Sequence, residues 1–188
     1  LLSAGCILFL FWSITRLVRS LIVNEEQNLS TIDVIVILGS GFVGALAYTF
    51  SDTFWCSAVE CDVYAFSSFL TALVFWMILR WQDESDSVYG DRWIILIAFI
   101  IGLSIGVHLL NLLCIPAIVL VFYYQKYHAI SFKGVAAAIV ISGLLIVFIL
   151  FVYIPGIADM GGWFELLIVH TLGKSFNTGG IVYIILLA

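Results

Sequence analysis

The sequence predicts an all-α fold, a polytopic bundle that crosses a bilayer about seven times. Three observations lead to it. Hydrophobic residues make up 64% of the 188 positions and charged residues only 10%, against about half and about a quarter in an ordinary soluble domain. The mean hydropathy is +1.22, so a water-soluble globule of this size would lack the polar groups to cover itself. The apolar residues fall in runs of about 20, the length of a spanning helix, and none shows the period-two alternation of a barrel strand. The aromatic share of 15%, with 15 Phe and 6 Trp, suits lipid-facing helices and interfacial belts. A net charge of −5 leaves a nucleic-acid partner without electrostatic support.

Spans are expected near residues 1–18, 31–50, 63–81, 93–108, 109–125, 134–154 and 179–188, forming a single transmembrane domain over 1–188. The first opens on Leu1-Leu2-Ser3-Ala4-Gly5 and the last closes on Ile184-Ile185-Leu186-Leu187-Ala188, both inside apolar runs. A basic start and a small-residue cleavage site, the marks of a signal peptide, are not visible. The chain is therefore expected to be an internal fragment, inactive alone. One helix over Trp93–Tyr124 would be about 48 Å long, beyond a hydrocarbon core of about 30 Å. Gly102, Gly106, His108, Asn111 and Pro116 weaken its middle, so two shortish helices turning near His108 fit better.

Basic residues then set the sidedness. Arg16 and Arg19 follow the first span, Arg80 and Arg92 bracket the next loop, and Lys126 and Lys133 bracket the one after. With the hairpin all six share a side, which the positive-inside rule makes cytoplasmic, and only Lys174 falls opposite. The cytoplasmic loops are then 19–31, 82–92 and 126–133, ordinary solvated connectors. A glycosylation sequon, Asn28-Leu29-Ser30, falls there and is expected to be silent. The outer face holds loops 51–62 and 155–178 and the turn at His108. Loop 155–178, with Trp163, Phe164, Glu165, His170 and Lys174, reads as an amphipathic connector skimming the membrane, within reach of a surface substrate.

The stretch from Ser51 to Tyr64 contains three carboxylates, Asp52, Glu60 and Asp62, among aromatics, with no Gly or Pro. It is expected to be a short interfacial helix running into the next span. At about 100° per residue, Tyr64, Ser67 and Thr71 fall near Glu60, which would head a polar stripe descending into the membrane, whereas Asp62 points elsewhere. Two carboxylates two apart chelate one divalent cation only on turned or extended backbone. The metal is left open, and the carboxylates serve equally as hydrated interfacial residues or helix caps. A helix reaching His108 would flank it with Ser104 and Asn111, polar groups that at this depth face a cavity or partner helix. Such a histidine either binds a phosphate or closes the hairpin through a local hydrogen bond. Gly102-x-x-x-Gly106 and the group Ser40, Gly41, Gly44 and Ala45 read as close-packing surfaces. Cys6 and Cys114 read as small hydrophobes. Cys56 and Cys61, five apart on a helix, diverge too far for a bridge.

Ser51-Asp52-Thr53-Phe54-Trp55, Ala58-Val59-Glu60, Val63-Tyr64-Ala65 and Gly102-Leu103-Ser104-Ile105-Gly106-Val107-His108-Leu109-Leu110-Asn111 together resemble the domain of unknown function 2723 family. That family is common in the Bacteroidetes and related to protein O-mannosyltransferases of the GT-C class. The resemblance covers about residues 1–130. Where relatives usually have Glu-Gly-Glu, this chain has Glu60-Cys61-Asp62.

The resemblance implies a GT-C-like bundle in a bacterial inner membrane, with its site facing the periplasm. There a sugar, mannose-like, passes from a polyprenyl-phosphate carrier to an acceptor hydroxyl, on exported protein, with inversion. The principal base is expected upstream of Leu1, supported here by Glu60, Asp62 and Asp52. His108 and Asn111 would hold the carrier phosphate, and Trp55 and Tyr64 would face substrate. The lipid-linked sugar is the donor, and a divalent cation remains open. A transporter or flippase, or a non-catalytic scaffold subunit, are the alternatives. The first would show polar or broken helices near the midplane and an internal repeat, and no repeat is visible.

Overall fold

The computed structural model describes residues 1–23, 29–60, 63–85, 87, 90–127 and 130–187. The sequon at Asn28, the partner cysteine Cys61 and the Asp62 carboxylate lie outside the described residues. Those described form helices joined by short turns. Among the described residues six helical stretches are long and apolar enough to cross a membrane, and the shorter helix Thr178–Leu187 follows them. The protein is an all-helical integral membrane bundle. By contact it divides into two compact units, residues 1–135 and 136–188.

The first unit opens with α1 (Leu2–Ile22) and α2 (Thr31–Thr49). A capping box starts α2: Asp33 Oδ2 accepts from Ser30 N at 3.0 Å, and the Ser30 hydroxyl accepts in return from Ile32 N at 3.4 Å. α3 (Asp52–Val59) is too short to span and is pinned by Phe54, buried with its ring 4.6 Å from that of Tyr48. α4 (Val63–Glu84) is the most buried helix of the unit. Its residues Val74, Met77, Ile78 and Trp81 form the core with Ile97 and Ile101 of α5 (Gly90–Val107).

The ladder of spans follows from contacts at their ends. Arg16 pairs with Asp83, and the Phe9 ring lies tilted against Phe69 and Trp76, so α1 runs parallel to α4. Trp93 Nε1 donates to Glu84 at 2.8 Å, placing the start of α5 beside the end of α4. Gln125, in the last turn of α6 (Cys114–Lys126), donates to Ser85 at 2.6 Å. The chain therefore leaves the end of α4 on α5 and returns to it on α6, which is the expected hairpin. His108 makes the turn in extended conformation (φ −159°, ψ 128°), followed by a 3₁₀ turn over Leu109–Leu113. Pro116 excludes one continuous rod, because it has no N–H for the Leu112 carbonyl and its ring would collide with it. In the first turn of α6 that missing donor costs nothing.

All six expected basic residues consequently gather at one end of this unit. Arg16, Arg19, Arg80, Arg92, Lys126 and Lys133 flank the termini that these contacts bring together. The expected small-residue surfaces divide. A side chain on Gly41 would collide with Thr15 and Phe11, and one on Gly44 with Ile14, so α2 does approach α1 closely there. Gly102 and Gly106 face open space, because α5 turns Ile97, Ile101 and Ser104 inward and leaves its glycine face outside.

α7 (Phe132–Phe148) continues through a π turn over Ile149–Tyr153 into α8 (Ile154–Leu172). Residues 155–178, expected as a connector, are thus helical as far as Leu172. Pro155 lies at the start of α8, directly after the wider π turn, a common place for a helix to accommodate a proline. α8 stops at Gly173, whose φ of 61° is the left-handed conformation a helix stop favours. In the second unit α9 (Thr178–Leu187) packs against α8. Glu165 caps it, accepting from the backbone of Asn177 and from Gly180 N at 2.8 Å.

Candidate functional site

At the end of the first unit away from the arginines, α4 presents Tyr64, Ser67 and Thr71, which share one helical face. The turn at the tip of the hairpin meets that face. Asn111, 3% exposed, accepts hydrogen bonds at its Oδ1 from Ser67 and from Thr71, each 2.8 Å long. Its Nδ2 donates to the Ser104 carbonyl at 3.4 Å, an oxygen that also takes the His108 backbone N–H at 2.9 Å. One amide therefore ties α4, α5 and the turn together where lipid offers no substitute partner. The small-residue wall beside it leaves a cavity of about 350 Å³, lined by Ser67, Thr71 and Asn111 with Tyr48 of α2 and Cys6 of α1.

His108 stands at the mouth of this cluster, its ring 5.3 Å from that of Tyr64. Its Nδ1 accepts from Leu110 N at 3.1 Å, so the side chain caps the 3₁₀ turn. Both readings of the residue thus have a footing. The local bond closes the turn and occupies Nδ1. That leaves Nε2–H as a donor for an anion.

Glu60 departs from its expected place. α3 ends at Val59, and Glu60 is extended (φ −67°, ψ 130°) with its N–H as the last helical donor, to Cys56 O at 2.9 Å. A helix at the interface and a helix crossing the membrane cannot share an axis, so the chain bends here and Glu60 leaves the helical count. Tyr64, Ser67 and Thr71 keep the stripe without it. Glu60 remains at the same end of the unit, shortly before Val63 opens α4. Asp52 and Trp55 lie on the exposed face of α3. Among the described residues, the side chains of Asp52, Trp55 and Glu60 make no hydrogen bond, ion pair or ring contact. Among the same residues no group of three or more His, Cys, Asp or Glu is placed to hold a metal ion.

Tyr48 and Cys6 were not legible as site residues. Both lie in apolar runs, where a tyrosine reads as part of an interfacial belt and a cysteine as a small hydrophobe. Only the packing of α1 against both α2 and α4 brings them to the cavity wall.

No curated protein and no solved structure matches the chain. A family model, the protein O-mannosyl-transferase TMEM260 N-terminal domain, matches residues 1–131. That stretch holds α1 through α6, the cavity, the hairpin tip, and both blocks that carried the resemblance. With its whole polar cluster inside the matched region, the chain belongs to the protein O-mannosyl-transferase TMEM260 N-terminal domain family.

Proposed function

We propose that this chain is the membrane-embedded part of a glycosyltransferase that moves a mannose-like sugar from a polyprenyl-phosphate carrier to an acceptor hydroxyl on exported protein. The observation that carries the reading is the meeting of His108, Tyr64 and Asn111 at one end of a bundle whose family is related to protein O-mannosyltransferases. In the reaction the acceptor oxygen bonds to the anomeric carbon as a carboxylate takes its proton. The bond from that carbon to the phosphate oxygen breaks, and the polyprenyl phosphate leaves with the electron pair. Inversion follows from attack opposite the leaving group.

In this reading His108 Nε2 donates to the departing phosphate, a charge-stabilising contact worth most in a dry cleft. Asn111, with its amide engaged on both sides, holds the turn that aims His108. Glu60, with Asp52 and Asp62, orients acceptor or carrier, while Trp55 and Tyr64 give the sugar an apolar surface to rest on. The arginine-rich end faces the cytoplasm by the positive-inside rule, which turns the cluster toward the periplasm of a bacterial inner membrane. The test is Glu60→Gln and His108→Ala in cells, with protein abundance as the folding control. Loss of glycan from exported proteins at normal abundance supports the reading. Unchanged glycans with lost solute uptake would favour a transporter instead.

A further inference from the structure

The arginine-rich end holds a second cavity, of about 510 Å³, between α1, α2, α4 and the start of α5. Arg16, Arg19 and Arg80 line it, with Asp83 as the one carboxylate and Trp76 and Trp93 on its wall. With Asp83 on Arg16 and Glu84 on Arg80, one positive charge, that of Arg19, is left without a carboxylate. Arg16 is committed to Asp83, and Arg80 donates to Glu84 at 2.9 Å. Each still has free N–H groups, since a guanidinium carries five. Among the described residues the Arg19 side chain, exposed at the rim, has no protein partner. The indoles are locked in place: Trp93 is bonded to Glu84, and its ring lies 6.3 Å from that of Trp76.

We propose that this cavity binds the phosphodiester head group of an anionic membrane phospholipid. Arginine matches phosphate oxygens in pairs, and its planar fork keeps that geometry where a lysine would not. The position fits a lipid better than a dissolved ion. The cleft lies at the charged ends of spanning helices, where head groups lie, and Ile37 and Leu38 of α2 line it beside the arginines, offering an acyl chain an apolar track. Basic pockets between spanning helices recognise anionic head groups in this way. The site is distinct from the His108 cluster, at the other end of the unit, and does not depend on the glycosyltransferase reading.

Native mass spectrometry of the intact chain in mild detergent tests it, with phosphatidylglycerol and phosphatidylcholine of identical acyl chains as probes. Phosphatidylglycerol should be retained at least about fivefold more tightly, and Arg19→Gln should remove about fivefold of that, the effect of one basic residue at an anionic surface. Because Arg19 holds no other side chain, this variant keeps its helix content and melting temperature, and it decides the matter even if Arg19→Gln with Arg80→Gln does not fold. Arg19→Lys should recover only part of the preference. Equal retention of the two lipids, or an unchanged preference in Arg19→Gln, overturns the proposal. Inorganic phosphate displacing phosphatidylglycerol at equal concentration overturns it too, since the cavity would then be a soluble-anion site.

Discussion

Ser67 and Asn111, 44 residues apart in the chain, are joined by a hydrogen bond of 2.8 Å from the serine hydroxyl to the amide oxygen. Both residues line the cavity at this end of the unit, and Thr71 gives the same oxygen a second donor. Asn111→Ala should therefore lower stability by about 1–2 kcal/mol. The estimate is held down because both hydroxyls can swing back to carbonyls of their own helix. A double-mutant cycle with Ser67→Ala, read by unfolding in mixed micelles, should return a coupling of about 0.5–1 kcal/mol. A coupling of zero would mean that the Ser67 bond does not help to hold the hairpin tip to α4.

Gly41 and Gly39 differ by two positions and should respond oppositely to alanine. A Cβ on Gly41 meets the Thr15 methyl and lies 3.0 Å from the Phe11 ring, whereas one on Gly39 meets nothing within 4 Å. Gly39→Ala should be neutral or add about 0.5–1 kcal/mol through helix propensity. Gly41→Ala should cost about 1–3 kcal/mol, because two packed helices must move apart. Thermal melts of the two variants in one detergent give the comparison directly.

That pair also shows how far the sequence could be read. The run of small residues at Ser40–Ala45 and the Gly102/Gly106 pair look alike as strings, yet only the first packs against a neighbour. Small size permits close approach without stating which face of a helix receives a partner. The spans themselves were legible, since burying a backbone in lipid requires long apolar helices. So was the hairpin at His108, where helix length, Pro116 and the positions of the basic residues all agreed. Glu60 was misplaced because a helical count cannot see a bend that leaves no Gly or Pro behind. Cys6 and Tyr48 reach the cavity only through the packing of α1 and α2, which no local pattern records.

Glu165, placed by the sequence in an amphipathic connector, serves the backbone instead. Its two oxygens take the N–H groups of Asn177 and Gly180, the free donors at the start of α9. Glu165→Ala should cost about 1–2 kcal/mol of local stability, the usual worth of a cap with a charge at a helix N-terminus. Hydrogen exchange over residues 178–187 should rise in this variant, with α1 through α6 unchanged. If α9 exchanges at the same rate, the carboxylate is not what orders it.

The proposed function gives His108 a second role beside its cap, and one substitution can separate the two. Its Nδ1 caps the turn by accepting from Leu110 N, and its Nε2–H is free for a phosphate. Asparagine, a strong capping residue, can accept the same N–H but is too short to reach where Nε2 reaches. His108→Asn should therefore hold stability within about 0.5 kcal/mol of the parent, while His108→Ala loses about 1 kcal/mol. Under the proposed function both should cut sugar transfer by about 100-fold, the scale of one lost donor to a developing oxyanion. Melting curves beside a transfer assay on the same preparations make the distinction. Full transfer by His108→Asn would reduce the histidine to a cap, and the carrier phosphate would have to be held elsewhere in the protein.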